Sequence, residues 1–198
     1  MTRRLEPLRS FVGDMGALIA AAPDEATILA QGGDLLRGLV ARDDWLPDEY
    51  AQPDPARYRQ NLLYLDNQRQ FSVVAFVWAP GQATSVHDHT VWGLVGLLRG
   101  GELSQAYDLA NGRPRPSGPV RRLSPGSVEA VSPRVGDLHR VANAFHDRTS
   151  ISIHVYGADI GGVSRHTYDD AGRPRTFISG YSNLRAPDLW GVSSGACS

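Results

Sequence analysis

Residues 81–89 read GQATSVHDH, and residues 136–143 read GDLHRVAN. His87 and His89 are separated by one residue, so in a strand their side chains point to the same face, about 7 Å apart along the chain. That spacing lets two imidazoles converge on one ion, with His139 as a possible third ligand. Taken alone, such a pair is more often two exposed polar residues beside a turn. The surrounding sequence decides between these two interpretations.

The chain around these histidines has the pattern of a β-protein. From Tyr58 onward, short β-branched and aromatic runs alternate with turns rich in glycine, proline and asparagine, which predicts many short strands without intervening helices. This pattern favours a sandwich or barrel. The clearest runs are residues 71–78, 91–98, 127–131 and 151–156.

Residues 1–50 are predicted to be helical, because apolar side chains recur there at three- and four-residue spacing. Pro23-Asp24-Glu25 ends one helix and begins the next, Gly32-Gly33 is expected to interrupt or relax the second, and a short turn is expected near Trp45–Tyr50. The predicted organisation is one domain over 1–198, with a barrel at 56–168. The segment 169–198 is expected to pack on that barrel through a set of large side chains: Phe177, Tyr181, Leu184, Leu189 and Trp190.

Composition excludes several classes of protein. The formal net charge is −1 and no basic block stands out, so nucleic acid and anionic membranes are poor partners. The apolar runs are too short to span a bilayer. The single cysteine, Cys197, has no partner for an internal disulfide, which favours a reducing cytoplasm and excludes a cysteine-type zinc site. Oligomeric state is left open.

A second polar row lies at residues 150–156, which read SISIHVY. In a strand, Ser152, His154 and Tyr156 share one face and the intervening aliphatic residues take the other. One interpretation is an edge strand with its polar face in water. The other is a buried, hydrogen-bonded relay beside a metal, because a buried tyrosine hydroxyl needs a partner and His154 can supply it.

The spacing of glycines and histidines resembles the cupin superfamily. Gly81, His87 and His89 match the first half of the first cupin motif, and Gly136, His139 and Asn143 match the core of the second. The resemblance implies a mainly β fold, a jelly-roll-like double-stranded barrel that holds a metal ion. The glutamate that most cupins place after the second histidine is replaced here by Gly93-Leu94. Three neutral ligands remain, which leaves open positions on the metal.

The order H-D-H-T, G-x-x-H and S-x-H-x-Y over residues 56–168 resembles the cysteine dioxygenase family of thiol dioxygenases. The resemblance implies one non-haem Fe(II) per chain, and the oxidation of a small thiol to its sulfinic acid by both atoms of O2. It also implies His87, His89 and His139 as metal ligands. The outer, catalytic triad would be Ser152, His154 and Tyr156.

Two differences from mammalian-type cysteine dioxygenases indicate which branch of the family this chain resembles. Gly93 stands where mammalian-type cysteine dioxygenases have a cysteine cross-linked to the tyrosine, so no thioether cofactor is expected. In the same mammalian-type enzymes, the arginine of a Tyr-x-Arg-Asn-Leu stretch holds the substrate carboxylate. Gln60 replaces that arginine here, and Arg165, nine residues after Tyr156, stands at the spacing of an arginine that could hold the carboxylate instead. Bacterial 3-mercaptopropionate dioxygenases look similar. The resemblance therefore implies 3-mercaptopropionate as substrate, anchored by Arg165.

Other functions are weighed against this one. Cysteine or mercaptosuccinate could be the substrate instead. A non-redox cupin, either an isomerase or a small-molecule-binding protein, would share the three histidines but has no need of the row at 150–156. His146 and His166 lie outside both motifs and are interpreted as hydrogen-bonding residues at or near the surface.

Overall fold

The computed structural model describes residues 4–191, which comprise two α-helices, a 3-10 turn and twelve strands. The helices are α1 (Glu6–Ala20) and α2 (Glu25–Val40), and the 3-10 turn covers Asp48–Tyr50. The strands are β1 (Arg59–Leu65), β2 (Ser72–Trp78), β3 (Val86–His87), β4 (Gly93–Arg99), β5 (Glu102–Ala110), β6 (Arg113–Pro116), β7 (Arg121–Leu123), β8 (Val128–Val131), β9 (His139–Asn143), β10 (Ser150–Tyr156), β11 (Arg165–Tyr168) and β12 (Pro174–Phe177).

The strands form two antiparallel sheets. The first has the order β1-β2-β10-β4-β8, and the second has the order β12-β11-β3-β9-β5-β6, with β7 also paired to β5. The inner faces of the two sheets meet in a cluster that includes Val74 and Tyr156 from the first sheet and Val141 from the second. The two sheets are not joined into a continuous cylinder within the described residues. The jelly-roll-like cupin architecture predicted from the sequence, with its helical N-terminal part, is confirmed.

Both helices cover the outer face of the first sheet. Leu8 and Met15 of α1 and Leu36 of α2 pack in one cluster with Ile151 and Ile153 of β10. The first sheet is therefore buried on both faces, which is why almost every residue of β2, β4 and β10 is buried. Asp24 caps α2 by accepting a 2.8 Å hydrogen bond from the backbone N–H of Thr27.

Helix α2 runs without a break through Gly32-Gly33, contrary to the sequence-based expectation. The glycines are there because of packing. A Cβ atom at Gly32 would lie 3.1 Å from Cδ1 of Leu94 and 3.3 Å from Sδ of Met15. The missing side chain lets α2 lie directly on β4 and α1, and the tertiary contacts offset the low helix propensity of glycine.

The chain after β12 contacts the first sheet at several points. The hydroxyl of Tyr181 donates a 2.6 Å hydrogen bond to Asp159, Leu189 is buried, and the ring of Trp190 lies 5.9 Å from that of Tyr64. Leu184 is fully exposed, so its expected packing on the barrel is wrong. The neighbouring Asn183 holds this turn to β1 through hydrogen bonds to the backbone of Leu62, which leaves Leu184 facing outward. Cys197 lies outside the described residues. None of the described helices has the length and apolar character needed to cross a bilayer.

Candidate metal centre

Three histidines meet between the two sheets. His87 ends β3 and is the register partner of His139, which begins β9, while His89 lies in the loop after β3. The ring centroids lie 4.7–4.9 Å apart. One imidazole nitrogen from each lies within 4.8 Å of the others. Strand pairing between segments fifty residues apart therefore produces the cluster that the two sequence motifs suggested.

The environment of the three rings suits a metal ion. Burial, reinforced by the neighbouring His89, lowers the pKa of His87 to about 3, and burial likewise lowers the pKa of His139 well below its usual value. Both rings are therefore neutral, which a ligand must be. Nε2 of His89 is buried and has no hydrogen-bond partner among the described residues. A bare, buried nitrogen facing two other imidazoles would be satisfied by a metal ion held by the three rings.

Two oxygen atoms orient these rings. Nδ1 of His89 lies 2.9 Å from Oδ1 of Asp137, and Nδ1 of His87 lies 3.0 Å from the carbonyl oxygen of Ser85. Asp137 also accepts hydrogen bonds from the backbone N–H groups of His89 and Thr90, each at 2.9 Å. Burial would raise the pKa of Asp137, but these hydrogen bonds lower it below its usual value. The carboxylate therefore holds a protonated Nδ1 and directs Nε2 to the centre.

Thr90 has a left-handed backbone conformation, with φ of +61°. This conformation is unfavourable for a β-branched residue. The two hydrogen bonds from residues 89 and 90 to Asp137 hold the turn in place. Asp137 and Thr90 were not singled out in the sequence. The signal available was the position of Asp137 directly after Gly136, two residues before His139.

The second polar row is a buried chain of hydrogen bonds. Oγ of Ser152 lies 2.9 Å from Nε2 of His154, and Nδ1 of His154 lies 2.8 Å from the hydroxyl of Tyr156. Their strand, β10, is central, between β2 and β4, so the edge-strand interpretation is wrong. Burial lowers the pKa of His154 well below its usual value and raises that of Tyr156. Both groups are neutral near pH 7. The ring of Tyr156 stacks on that of His89 at 5.6 Å.

A cavity of about 250 Å³ lies beside the cluster and holds the other predicted site residues. Its lining includes His87, His139, Tyr156, Arg165 and Gln60. The structure thus brings every predicted site residue either to this cavity or, for His89 and Ser152, next to a residue that lines it. Sequence reasoning missed the aromatic part of the lining: Tyr58, Phe76, Trp78 and Phe177. Tyr58 begins the stretch that contains Gln60 and stands two residues before it, at the spacing of one strand face, and these were the signals available for it.

Arg165 is 3% exposed and has no carboxylate within 4.0 Å among the described residues. Its guanidinium donates a 2.6 Å hydrogen bond to Oγ of Ser179 and lies 4.7 Å above the ring of Phe177. Nε has no partner in the described part of the chain. Burial lowers the pKa of Arg165, which still leaves an arginine charged near pH 7. A buried cation without a counter-charge favours an anionic ligand in the cavity.

Asp88, the residue between the two histidines of the first motif, links the metal loop to β11. Its carboxylate accepts hydrogen bonds from the backbone N–H of His166 at 2.7 Å and from the hydroxyl of Tyr168 at 3.0 Å, and lies 3.0 Å from Nδ1 of His166. His166 directly follows Arg165, so the same contact fixes where the arginine enters the cavity. His146 is exposed on a distant turn.

A family model and a set of curated proteins that match this sequence give the same result. A family model described as "Cysteine dioxygenase type I" matches residues 40–169, more than half of the chain. Cysteine dioxygenase type 1 of Danio rerio is 30% identical over 117 residues, and that of Rattus norvegicus is 29% identical over 110 residues. These matches cover 57% and 54% of this chain, and 56% and 54% of the relatives. The chain thus spans about half the length of the curated relatives it matches.

Solved structures with a related fold are more distant. A protein of Klebsiella pneumoniae with a double-stranded β-helix domain is 20% identical, with a TM-score of 0.45, over 56% of this chain and 85% of that one. A cupin superfamily protein of Desulfitobacterium hafniense is 15% identical, with a TM-score of 0.41, over 55% and 83% of the two chains.

Proposed function

Because this chain belongs to the cysteine dioxygenase type I family, we propose that it oxidises a small thiol carboxylate to its sulfinic acid with O2. The metal would be one Fe(II) ion, held by His87, His89 and His139. The observation that carries the proposal is that two members of the three-histidine cluster, His87 and His139, border the same small cavity as one buried arginine without a counter-charge. Such a cavity suits a short molecule with sulfur at one end and a carboxylate at the other.

Different residues would bind the two ends of this substrate. When bound, ferrous iron would supply thiolate ligation and the redox chemistry that zinc lacks. Arg165 would hold the carboxylate by charge-assisted hydrogen bonds from the fork of its guanidinium. A carboxylate held there places the sulfur toward the histidines, so that the reacting groups gain from proximity.

Tyr156 would donate a hydrogen bond to the reacting groups. Its hydroxyl remains protonated near pH 7, lines the cavity and is held by His154 at 2.8 Å. His154 is fixed in turn by Ser152 and by the ring of Phe76, which stacks on it at 4.0 Å. A donor that is already oriented before the substrate arrives costs little reorganisation during reaction.

Gly93 is the register partner of Tyr156, and a Cβ atom there would lie 2.9 Å from Cδ1 of the tyrosine ring. Glycine offers no sulfur for a cross-link at this position. We therefore keep the proposal that the enzyme works without a thioether cofactor and that an unmodified Tyr156 is its functional form.

The charges that line the cavity support 3-mercaptopropionate as the substrate. Arg165 is the one cation in the described lining, and no Asp or Glu belongs to it. Cysteine would bring an ammonium group whose burial is costly without an acceptor, and mercaptosuccinate would bring a second carboxylate without a second cation. Gln60 is neutral and adds no competing charge. The expected order of catalytic efficiency places 3-mercaptopropionate above both other thiols.

Thiol-dependent oxygen consumption, measured for the three thiols, tests this assignment. Arg165→Ala should weaken the binding of the transition state by about 2–5 kcal/mol, because it removes a desolvated charge pair. This loss would be measured as a lower kcat/KM for 3-mercaptopropionate. Gln60→Arg should narrow the preference among the thiols or disturb turnover, by placing a second positive charge near the first.

Arg175→Ala, which removes an exposed arginine from the neighbouring β12, is the matched control and should leave the kinetics unchanged. Wild-type preference for cysteine, or an Arg165→Ala enzyme with full efficiency, would show that the carboxylate site is wrongly assigned. We also keep the cytoplasm as the proposed compartment, since one cysteine offers no internal disulfide.

A further inference from the structure

Two side chains near the end of the second sheet hold the guanidinium of Arg165. Phe177, the last residue of β12, is the register partner of Arg165, and the centroid of its ring lies 4.7 Å from Cζ of the arginine. Oγ of Ser179 accepts a 2.6 Å hydrogen bond from Nη2. Ile178, between these two residues, is 63% exposed and faces away from the arginine. The aromatic face and the hydroxyl together restrain both the plane and the position of the guanidinium.

The segment that carries these side chains, residues 177–182, is called the strap here. It connects the outer strand of the second sheet, β12, to the outer strand of the first, β1. The backbone N–H of Ser182 donates a 2.8 Å hydrogen bond to the carbonyl oxygen of Gln60, whose own N–H donates to Oγ of Ser182 at 2.9 Å. Strand pairing therefore fixes the strap before Ser179, and these hydrogen bonds fix it afterwards, so that it forms a stable support for Arg165.

The backbone of Arg165 is also fixed relative to the three histidines. Thr167 is the register partner of His87, which is in turn the partner of His139. Arg165 stands two residues before Thr167, on the same face of β11. Adjacent strands are about 4.8 Å apart and two residues span about 6.6 Å, so the backbones of Arg165 and His87 lie roughly 8 Å apart. The torsions of the arginine side chain are the remaining freedom, and the strap restrains them.

The contact with Ser179 leaves most of the guanidinium available to a ligand. An arginine carries five N–H donors in one plane, and the bond to Ser179 uses one of them. Nε is buried and has no partner among the described residues. The hydroxyl of Ser179 is neutral, so it orients the cation without cancelling its charge. A carboxylate can therefore still pair with two neighbouring donors of the same plane.

We propose that Ser179 and Phe177 are positioning residues that hold the Arg165 guanidinium at a set distance from the three histidines and so make the site selective for the length of a thiol carboxylate. A restrained arginine loses little rotamer freedom when an acid of the matching length binds, and it does not move to meet a shorter or longer one. Both residues lie beyond residue 169, where the match to the family model ends. The inference rests on the proposed function, whose substrate class it narrows.

Isothermal titration calorimetry of the full-length, iron-loaded protein without oxygen tests this inference, because it measures Kd without turnover. The acids 2-mercaptoacetate, 3-mercaptopropionate and 4-mercaptobutyrate differ by one methylene each. Wild type should bind 3-mercaptopropionate most tightly. Ser179→Ala should weaken this binding about tenfold, the equivalent of one hydrogen bond to a charged group. The other two acids should lose less affinity, so the preference for one length becomes smaller.

A fourth thiol, 2-mercaptoethanol, separates positioning of the arginine from a general effect on the fold. It has no carboxylate, so its Kd should be the same in wild type and Ser179→Ala. Ile178→Ala is the matched control, since it shortens an outward-facing side chain of the same strap, and it should leave every Kd unchanged. Phe177→Leu removes the cation–π contact and should show the pattern of Ser179→Ala. It decides the question if Ser179→Ala does not fold.

Equal weakening of all four thiols in Ser179→Ala would show a structural role alone and would overturn the proposal. An undiminished preference for 3-mercaptopropionate in this variant, or a wild type that binds the three acids equally, would overturn it as well. In oxygen-uptake assays, Ser179→Ala should raise KM for 3-mercaptopropionate with little change in kcat, and a fall in kcat alone would contradict the positioning role. Absence of oxygen uptake with every thiol would reject the proposed function, and the binding pattern would still stand or fall by itself.

Discussion

Two imidazoles of the metal centre, those of His87 and His89, are oriented by oxygen atoms that lie nearby in space. His87 is neutral because desolvation and the neighbouring His89 lower its pKa, and its Nδ1 faces the carbonyl oxygen of Ser85. Asp137 performs the same orienting task for His89 with a carboxylate. Metal-binding histidines are commonly fixed in this way, through the nitrogen that does not bind the ion. The three-histidine pattern would be incomplete without these oxygen atoms.

Removing the Tyr156 hydroxyl should separate catalysis from metal binding. Tyr156→Phe leaves the three histidines intact, so the iron content should equal that of wild type. Its kcat/KM should fall by roughly 10–1000-fold, the range found when one oriented donor is lost. Iron analysis and oxygen-uptake kinetics are the measurements. Wild-type kinetics across pH in this variant would show that the hydroxyl takes no part in the reaction.

Glu102, a fully buried acid at the start of β5 whose Oε1 accepts a hydrogen bond from Ser150, should affect stability in a pH-dependent way. Its pKa is about 8 in the fold and 4.5 in the unfolded chain, so the folded state binds more protons between these values. The stabilising contribution is complete below pH 4.5 and is lost as the pH rises toward 8, with a slope of up to about 1.4 kcal/mol per pH unit. Urea unfolding at pH 5.5 and 7.5 should show this slope in wild type. Glu102→Gln should lack it, and equal slopes in the two proteins would contradict the assignment.

Among the secondary-structure elements, α2 packs closely on β4 at Gly96. A Cβ atom at Gly96 would lie 2.8 Å from Cγ of Leu36 and 3.0 Å from Cγ1 of Val40. Glycine is poorly suited to the middle of a strand. Here it allows the helix to settle on the outer face of the sheet, which closes the side of the sheet opposite the cavity.

A methyl group at this contact should destabilise the protein without altering the metal centre. We expect Gly96→Ala to lower the free energy of unfolding by about 1–3 kcal/mol through overpacking, with unchanged metal content. Gly38→Ala in α2 is the control, because no atom lies within 4 Å of the added Cβ. That control should raise stability by about 0.5–1 kcal/mol. Chemical denaturation of both variants checks the pair, and a stabilised Gly96→Ala protein would contradict the packing argument.

Across the molecule, the two sheets meet at the candidate centre. The three histidines come from the second sheet and the loop after β3, whereas the hydrogen-bond chain comes from the first sheet. The stacking of Tyr156 on His89 is a direct contact between the two groups. An ion bound to the histidines would therefore stabilise the facing arrangement of the sheets, since binding to the folded state alone shifts the unfolding equilibrium.

Reconstitution with different metals tests the centre as a unit. We expect one Fe(II) per chain, a higher Tm in the iron-loaded protein than in the metal-free protein, and oxygen uptake with iron only. His139→Ala should lose tight metal binding together with the rise in Tm. Elemental analysis, thermal unfolding and oxygen-uptake assays measure these outcomes. Full thiol-oxidising activity with zinc alone would exclude the redox role, because zinc has no accessible redox change.

The sequence by itself determined the parts of this protein that depend on local periodicity. Alternation at 150–156 predicted which side chains share a face of β10, because side chains in a strand alternate with a period of two residues. His87 and His89 do converge, but strand periodicity is not the reason, because His89 lies in the loop after β3 and its ring is oriented by Asp137. Helical spacing before residue 50 predicted α1 and α2, and a proline followed by two acidic residues predicted the boundary between them.

Only the tertiary structure decided what these elements face. The burial of both faces of β10, the hydrogen bonds that Asp137 accepts from His89 and the hydrogen bond from Ser150 to Glu102 all join residues far apart in the chain. The predictions of a helix interruption at Gly32 and of a packed Leu184 were wrong for the same reason. Gly32 lies against Leu94, and Leu184 follows Asn183, which is hydrogen-bonded to β1. Such contacts depend on sheet register and on which surfaces meet. Local periodicity carries information about neither, because the free energy that selects them comes from burial and hydrogen bonding between distant segments.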